Sequence, residues 1–177
     1  GDISTDILYD KKQKFKTIYL LHGMLDDHSC WMRWSMVEEQ AEKHKIALVM
    51  PSGQNSFYVN AEHGLAYYDF INDELPRWAE MNFPLLEGRE NRFIAGLSMG
   101  GYGAIRHGLG TPEKYAAVGA FSGALDIVGL EIIIHTDRRY DRQEISLQQI
   151  IENLGVYVLD ITYKSDIFPI GVLLVYL

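Results

Sequence analysis

The sequence predicts an α/β fold, a mostly parallel sheet with helices on both faces, and three observations carry that prediction. Short β-branched or aromatic runs alternate with segments of helical periodicity as far as Gly123. The connections between successive runs are long enough for crossovers. The second run, Ile46 to Met50, is apolar almost without interruption, as a strand covered on both faces must be.

Taken in order, Lys16 to Leu21 is a short β-branched and aromatic run that ends at His22-Gly23, and so reads as a strand followed by a loop. Trp31, Trp34, Val37 and Ala41 recur at helical spacing with charges on the opposite face through His44, which predicts one amphipathic helix. Ile46 to Met50 is the second strand, stopped by Pro51-Ser52-Gly53. Tyr68 to Met81 is helical in pattern, and Pro76 must kink it or start a second helix there. Arg92 to Leu97 is a third strand, Met99 to Leu109 a helix rich in small residues, and Ala116 to Phe121 a fourth strand ending at Ser122-Gly123. Beyond it Glu144 to Leu154 is helical in pattern and Gly171 to Leu177 reads as a buried strand, while Ile132-Ile133-Ile134 and Asp137 to Asp141 fit neither period. The whole reads as one partial domain, 1–177, with a lid or irregular insertion over 125–163 and its C-terminal end incomplete.

Composition narrows the function classes. Sixteen Lys and Arg against 24 Asp and Glu give a net charge of −8 with no basic stripe, which argues against nucleic acid as a partner. Cys30 is the only cysteine, so no intrachain disulfide forms and a reducing compartment fits. The longest apolar stretch, Ile167 to Leu177, is shorter than the roughly 20 residues that span a bilayer. The expectation is a cytoplasmic protein without a membrane partner. Both ends read as cut: the chain opens on Gly1 rather than Met and stops inside an apolar run.

The residues that carry chemistry are Gly96-Leu97-Ser98-Met99-Gly100, a G-x-S-x-G pattern placed directly after an apolar strand and directly before a helix of Gly100, Gly101, Gly103 and Ala104. A Ser on such a tight turn has strained backbone geometry, and flanking Gly leaves room for neighbouring segments. Its hydroxyl then stands at the carboxyl edge of the sheet, beside helix amides that can stabilise a developing oxyanion. The competing reading is a Gly-rich turn used only for close packing. Phosphate binding fails on the residues: Gly96 and Gly101 have the spacing that begins a Walker loop, but Tyr102 stands where its Lys must be. His22-Gly23-Met24, at the end of the first strand, offers a second oxyanion donor from the N–H of Met24 or Leu25.

Tyr19-Leu20-Leu21-His22-Gly23-Met24 with Trp31, then Val49-Met50-Pro51, Tyr67-Tyr68, Glu74-Leu75-Pro76, the run Phe93 to Gly103 and Phe121-Ser122-Gly123-Ala124-Leu125 resemble the esterase D branch of the α/β-hydrolases. That branch includes S-formylglutathione hydrolase, and the likeness is greatest to bacterial tributyrin esterases. The resemblance covers Thr17 to Leu125. It implies a carboxylesterase acting on short acyl esters through an acyl-enzyme on Ser98, with the N–H groups of Met24 and Met99 as oxyanion hole. Trp31, Phe57 and Tyr58 are candidate walls of the substrate pocket, with plain core or surface as the competing reading. Neither a cofactor nor a metal is expected; Asp26, Asp27 and His28 lack a further ligand at metal spacing. A homo-oligomer stays open.

The resemblance also implies that an acid and then a His follow, each in a loop after a late strand. Gly171 to Leu177 resembles the strand whose following turn would carry the acid, so both members are expected beyond Leu177 and the chain alone is expected to be nearly inert. Its own histidines offer little. His44 closes a helix, His28 and His63 lie in loops, His22 supports the oxyanion loop, and His107 sits roughly 12 Å along the helix from Ser98. His135, with Asp137 or Asp126 as improvised acid, is the remaining candidate, and Asp160 and Asp166 read as surface carboxylates. Two other readings stand beside the esterase: a thioesterase of the S-formylglutathione type or an acyltransferase, and a non-catalytic binding protein that keeps the fold without a complete triad.

Overall fold

A computed structural model of the chain describes residues 13–123, 157–164 and 169–176. The elements are β1 (Lys16–Leu21), α1 (Cys30–Trp34), α2 (Val37–His44), β2 (Ile46–Val49), α3 (Tyr67–Asp69), a π-helical turn (Phe70–Glu74), α4 (Leu75–Asn82), a 3₁₀ turn (Arg89–Asn91), β3 (Arg92–Leu97), α5 (Met99–Gly110), β4 (Ala117–Phe121), β5 (Tyr157–Lys164) and β6 (Pro169–Tyr176). They build one six-stranded sheet in the order β2-β1-β3-β4-β6-β5. The first four strands are mutually parallel, and β6 runs antiparallel to both β4 and β5.

The order fixes where the helices go. From β1 the chain crosses outward to β2, returns past β1 to β3, and continues in the same direction to β4. Right-handed crossovers therefore set α1 and α2 on one face and α4 and α5 on the other. Register rows Val49–Tyr19–Ile94–Val118 and Leu21–Gly96–Ala120 run across the sheet. Tyr19, Leu21, Ile94, Val118 and Ala120 pack with Ile71, Leu75, Ala104, Ile105 and Leu109 in the main core, which thus lies under α4 and α5.

Two elements differ from the sequence expectation, and a third adds to it. The single helix over Trp31 to His44 is two helices, because Ser35 is extended at φ −144° and ψ 172°. Trp31 turns its indole N–H onto Leu21 O at 3.1 Å, whereas Trp34 is 79% exposed, so these two do not share one buried stripe. Pro76 does start a second helix, lying in the first turn of α4, and what the sequence does not announce is the wide π turn that leads into it, with Leu75 N donating to Phe70 O. Pro76 has no N–H for Asn72 O, and Lys114 Nζ donates to that carbonyl at 3.2 Å instead. Lastly, the strand read over Gly171 to Leu177 is β6, and it is antiparallel to β4, with Tyr176 opposite Ala117. Its C-terminal end therefore lies at the edge of the sheet away from Ser98, which corrects its reading as the strand whose following turn carries the acid; an apolar run carries no signal for strand direction. Glu144 to Leu154 and the proposed lid fall outside the described residues, except where 157–163 belong to β5.

Candidate active site

The turn that carries Ser98 follows from close packing on both flanks. Ser98 stands between β3 and α5 at φ 55° and ψ −114°, a backbone conformation strained for a residue with a Cβ. Two bonds over-determine it: Ser98 N donates to Phe121 O at 2.9 Å, and Tyr102 N donates to Ser98 O at 3.0 Å. A Cβ on Gly96 would lie 2.2 Å from Gly100 O, and one on Gly100 would lie 2.4 Å from Leu21 O. Only the flanking glycines let the three segments meet. Ser98 itself is exposed, and its hydroxyl meets no hydrogen-bond partner among the described residues.

The loop after β1 lies against this turn, since a Cβ built on Gly23 would sit 3.7 Å from Ser98 Cβ. Two amides are unspent there. Met99 opens α5, whose first intrahelical bond is made by Tyr102, so its N–H has no helical acceptor. On the loop, Leu25 N donates to Asn55 Oδ1 at 2.8 Å, which leaves the Met24 N–H without a partner among the described residues. The arrangement is one exposed hydroxyl beside a helix N-terminus and a second free amide.

His22 is fully buried, and the network fixes its tautomer. Gly53 N donates to Nε2 at 2.8 Å, so Nε2 carries no hydrogen, and Nδ1–H donates to Gly23 O at 2.7 Å. Both ring nitrogens are spent within the protein. Three other described histidines are placed elsewhere: His28 Nδ1 lies 3.0 Å from Ser52 Oγ, His63 lies beside Glu62, and His44 ends α2. His135, Asp126, Asp137 and Asp166 lie outside the described residues, while Asp160 lies in β5 opposite Leu173.

The three candidate pocket walls take different places. Tyr58 is a correction, for it is 0% exposed and presents no surface to a ligand; its hydroxyl donates to His22 O at 3.0 Å. Phe57 is buried too, edge-on to Tyr102 with ring centroids 5.8 Å apart. Trp31 is half-buried against Leu21 O and Phe121. The loop that carries the first two is itself strained, with Gln54, Phe57 and Tyr58 all at positive φ. What sequence reasoning missed is this bracing; polar ends on aromatic residues near a loop were its only signal.

His107 braces the same loop from beneath. Its Nε2–H donates to Tyr58 O at 3.1 Å and its ring stacks on Tyr68 at 4.7 Å. Burial, reinforced by Arg106 and opposed by the bond to Tyr58 O, pushes its pKa from 6.5 down to about 3. Below pH 6.5 the unfolded chain takes up a proton that the folded chain refuses. The stability contributed by neutral His107 is thus complete above pH 6.5 and falls as the pH drops towards 3, by up to about 1.4 kcal/mol per pH unit. Urea midpoints at pH 7 and pH 5 should show this loss, and His107→Gln, which keeps a donor and does not titrate, should flatten it.

Among the described residues no group of three or more His, Cys, Asp or Glu could hold a metal ion, and no helix is long and apolar enough to cross a membrane.

Comparison with known proteins adds an independent line. The chain is 38% identical over 116 residues to an acetyl esterase of Caldicellulosiruptor saccharolyticus, an alignment covering 65% of this chain and 44% of that protein. It superposes on the fluorophosphonate-binding serine hydrolase F of Staphylococcus aureus, solved with substrate bound, with a TM-score of 0.62, 33% identity, and coverage of 88% of this chain and 58% of that one. It also superposes on an S-formylglutathione hydrolase of Staphylococcus aureus with a TM-score of 0.59, 34% identity, and coverage of 81% and 53%. The chain therefore spans about half the length of the relatives it matches. The sheet is of the α/β-hydrolase type, and residues 2–155 match the Esterase family. With its strained, exposed Ser98 seated at the head of α5 and the match running through that turn, this chain belongs to the Esterase family.

Proposed function

We propose that this chain carries the nucleophile and oxyanion hole of a serine carboxylesterase acting on short-chain acyl esters. The observation that supports it most is the exposed Ser98 at φ 55° beside the free amides of Met24 and Met99. In this reading Ser98 Oγ forms a bond to the ester carbonyl carbon while its proton passes to a base, and the carbonyl oxygen becomes an oxyanion held by the two N–H groups. The carbonyl re-forms as the alcohol leaves with a proton. Water then releases the acid and restores Ser98. The base is a histidine outside the described residues, because His22 has no free nitrogen.

Small acyl groups fit the name of the acetyl esterase relative, and short-chain triglyceride esters such as tributyrin belong to the same class. Thioester hydrolysis of the S-formylglutathione type, or transfer to a sugar, uses the same acyl-enzyme; product analysis with competing thiol and sugar acceptors separates them. The single cysteine supports a cytoplasmic setting. Treatment with a fluorophosphonate followed by peptide mass mapping tests the assignment. The added mass should fall on the peptide containing Ser98 and vanish in Ser98→Ala. With no base among the described residues the labelling is slow and is followed over hours at high probe concentration; a label elsewhere would favour the non-catalytic binding protein.

A further inference from the structure

We propose that Tyr58, through its hydroxyl on His22 O and together with the His22 ring, is the positioning residue that aims the Met24 N–H at the reacting centre. This rests on the reading of Met24 as an oxyanion donor. The argument starts from the planarity of the peptide group, in which the direction of a C=O dictates that of the N–H across the bond. The N–H of Met24 belongs to the same peptide as Gly23 O, and that oxygen is held at 2.7 Å by His22 Nδ1–H. The preceding peptide is held at its own oxygen, His22 O, by the Tyr58 hydroxyl at 3.0 Å. The His22 ring is in turn held by Gly53 N at 2.8 Å and lies edge-on to the Tyr58 ring at 5.8 Å. Two consecutive peptides leading into the donor are thus gripped by two side chains in contact with each other.

Tyr58 is also tied to the helix that carries the nucleophile. A Cβ on Gly103 of α5 would lie 2.6 Å from its ring, and a Cβ on Gly53 would lie 2.2 Å from it, so glycine backbone lines the ring on both these sides. Its carbonyl receives the N–H of His107, likewise on α5. Helix α5 therefore sets Ser98 directly, and sets the second donor through Tyr58. A fully buried hydroxyl in such a slot has one role available to it: it fixes the loop without touching substrate.

Tyr58→Phe removes only the hydroxyl. In fluorophosphonate labelling of Ser98 at varied probe concentration, the maximal labelling rate should fall about tenfold or more while the half-saturating probe concentration moves less than twofold, since only the transition-state oxyanion is affected. By NMR, hydrogen exchange of the Leu25 amide should quicken by at least about tenfold, with the Ile94 amide of β3 unchanged. An unchanged labelling rate in folded Tyr58→Phe would overturn the proposal. Should that variant not fold, His22→Asn, which retains a donor near Nδ1, should lose less labelling rate than His22→Leu; equal losses would overturn it. Labelling rates are read over hours, since no base stands among the described residues; if the parent chain does not label even then, the esterase reading fails for this chain, and an unquickened Leu25 amide also removes Tyr58 as the brace of the loop.

Discussion

Turnover of p-nitrophenyl butyrate by this chain is expected to run about 10⁴ to 10⁶-fold below that of an esterase with a complete triad. A serine hydroxyl is a weak nucleophile at neutral pH, and general-base removal of its proton supplies the larger part of the acceleration. Around Ser98 the described residues offer two amides without partners, proposed above as oxyanion donors, but no base. His22, the histidine beside the loop, keeps one nitrogen on Gly23 O and lends the other to Gly53 N. Drawing it into catalysis would break both bonds in a fully buried setting. What remains is oxyanion stabilisation and binding, which still leave measurable catalysis over water. Nitrophenolate release at saturating substrate, with Ser98→Ala as the blank, measures the deficit. A rate near that of triad enzymes would mean that the chain holds its own base, and His135 with Asp126 or Asp137 would then be the first substitutions to make.

Gly100→Ala is expected to destabilise the fold by about 3 kcal/mol and to abolish labelling of Ser98. The new Cβ would sit 2.4 Å from Leu21 O and 2.7 Å from His22 O, both backbone atoms with no rotamer to escape into. Either the strand or the helix has to withdraw, and each carries half of the site. The gain of about 1 kcal/mol from replacing Gly by Ala inside a helix cannot offset that displacement. Gly110→Ala provides the contrast on the same helix, since the atom met there is the end of the Tyr68 side chain, which can swing away. Urea melts should separate the two, with a lower midpoint at unchanged slope for Gly100→Ala and little change for Gly110→Ala.

Much of this was legible in the sequence, for identifiable reasons. Each of the first four strands announces itself by a short apolar run closed by Gly, Pro or Ser, and the Gly-x-Ser-x-Gly turn needs its glycines so strictly that they mark it. The break at Ser35 was not legible, because Trp31 and Trp34 sit at helical spacing while only Trp31 is drawn inward by Leu21 O. Nor was the direction of β6, which is settled by pairing partners rather than by composition. For Tyr58 the core reading prevails over the pocket wall for a related reason. An aromatic residue near a loop suggests a wall for a ligand, but in the fold its polar end is already committed to His22 O.

The wide turn before α4 has a consequence for how related chains can vary. Pro76 orphans the carbonyl of Asn72, and Lys114, from the segment leading into β4, fills the gap. The two positions lie far apart along the chain, yet one creates the need that the other answers. A lineage that restored an ordinary residue at 76 would release the constraint on 114, and loss of the lysine alone would leave an unmet acceptor beside the core. Substitutions at these sites should therefore be inherited as a pair.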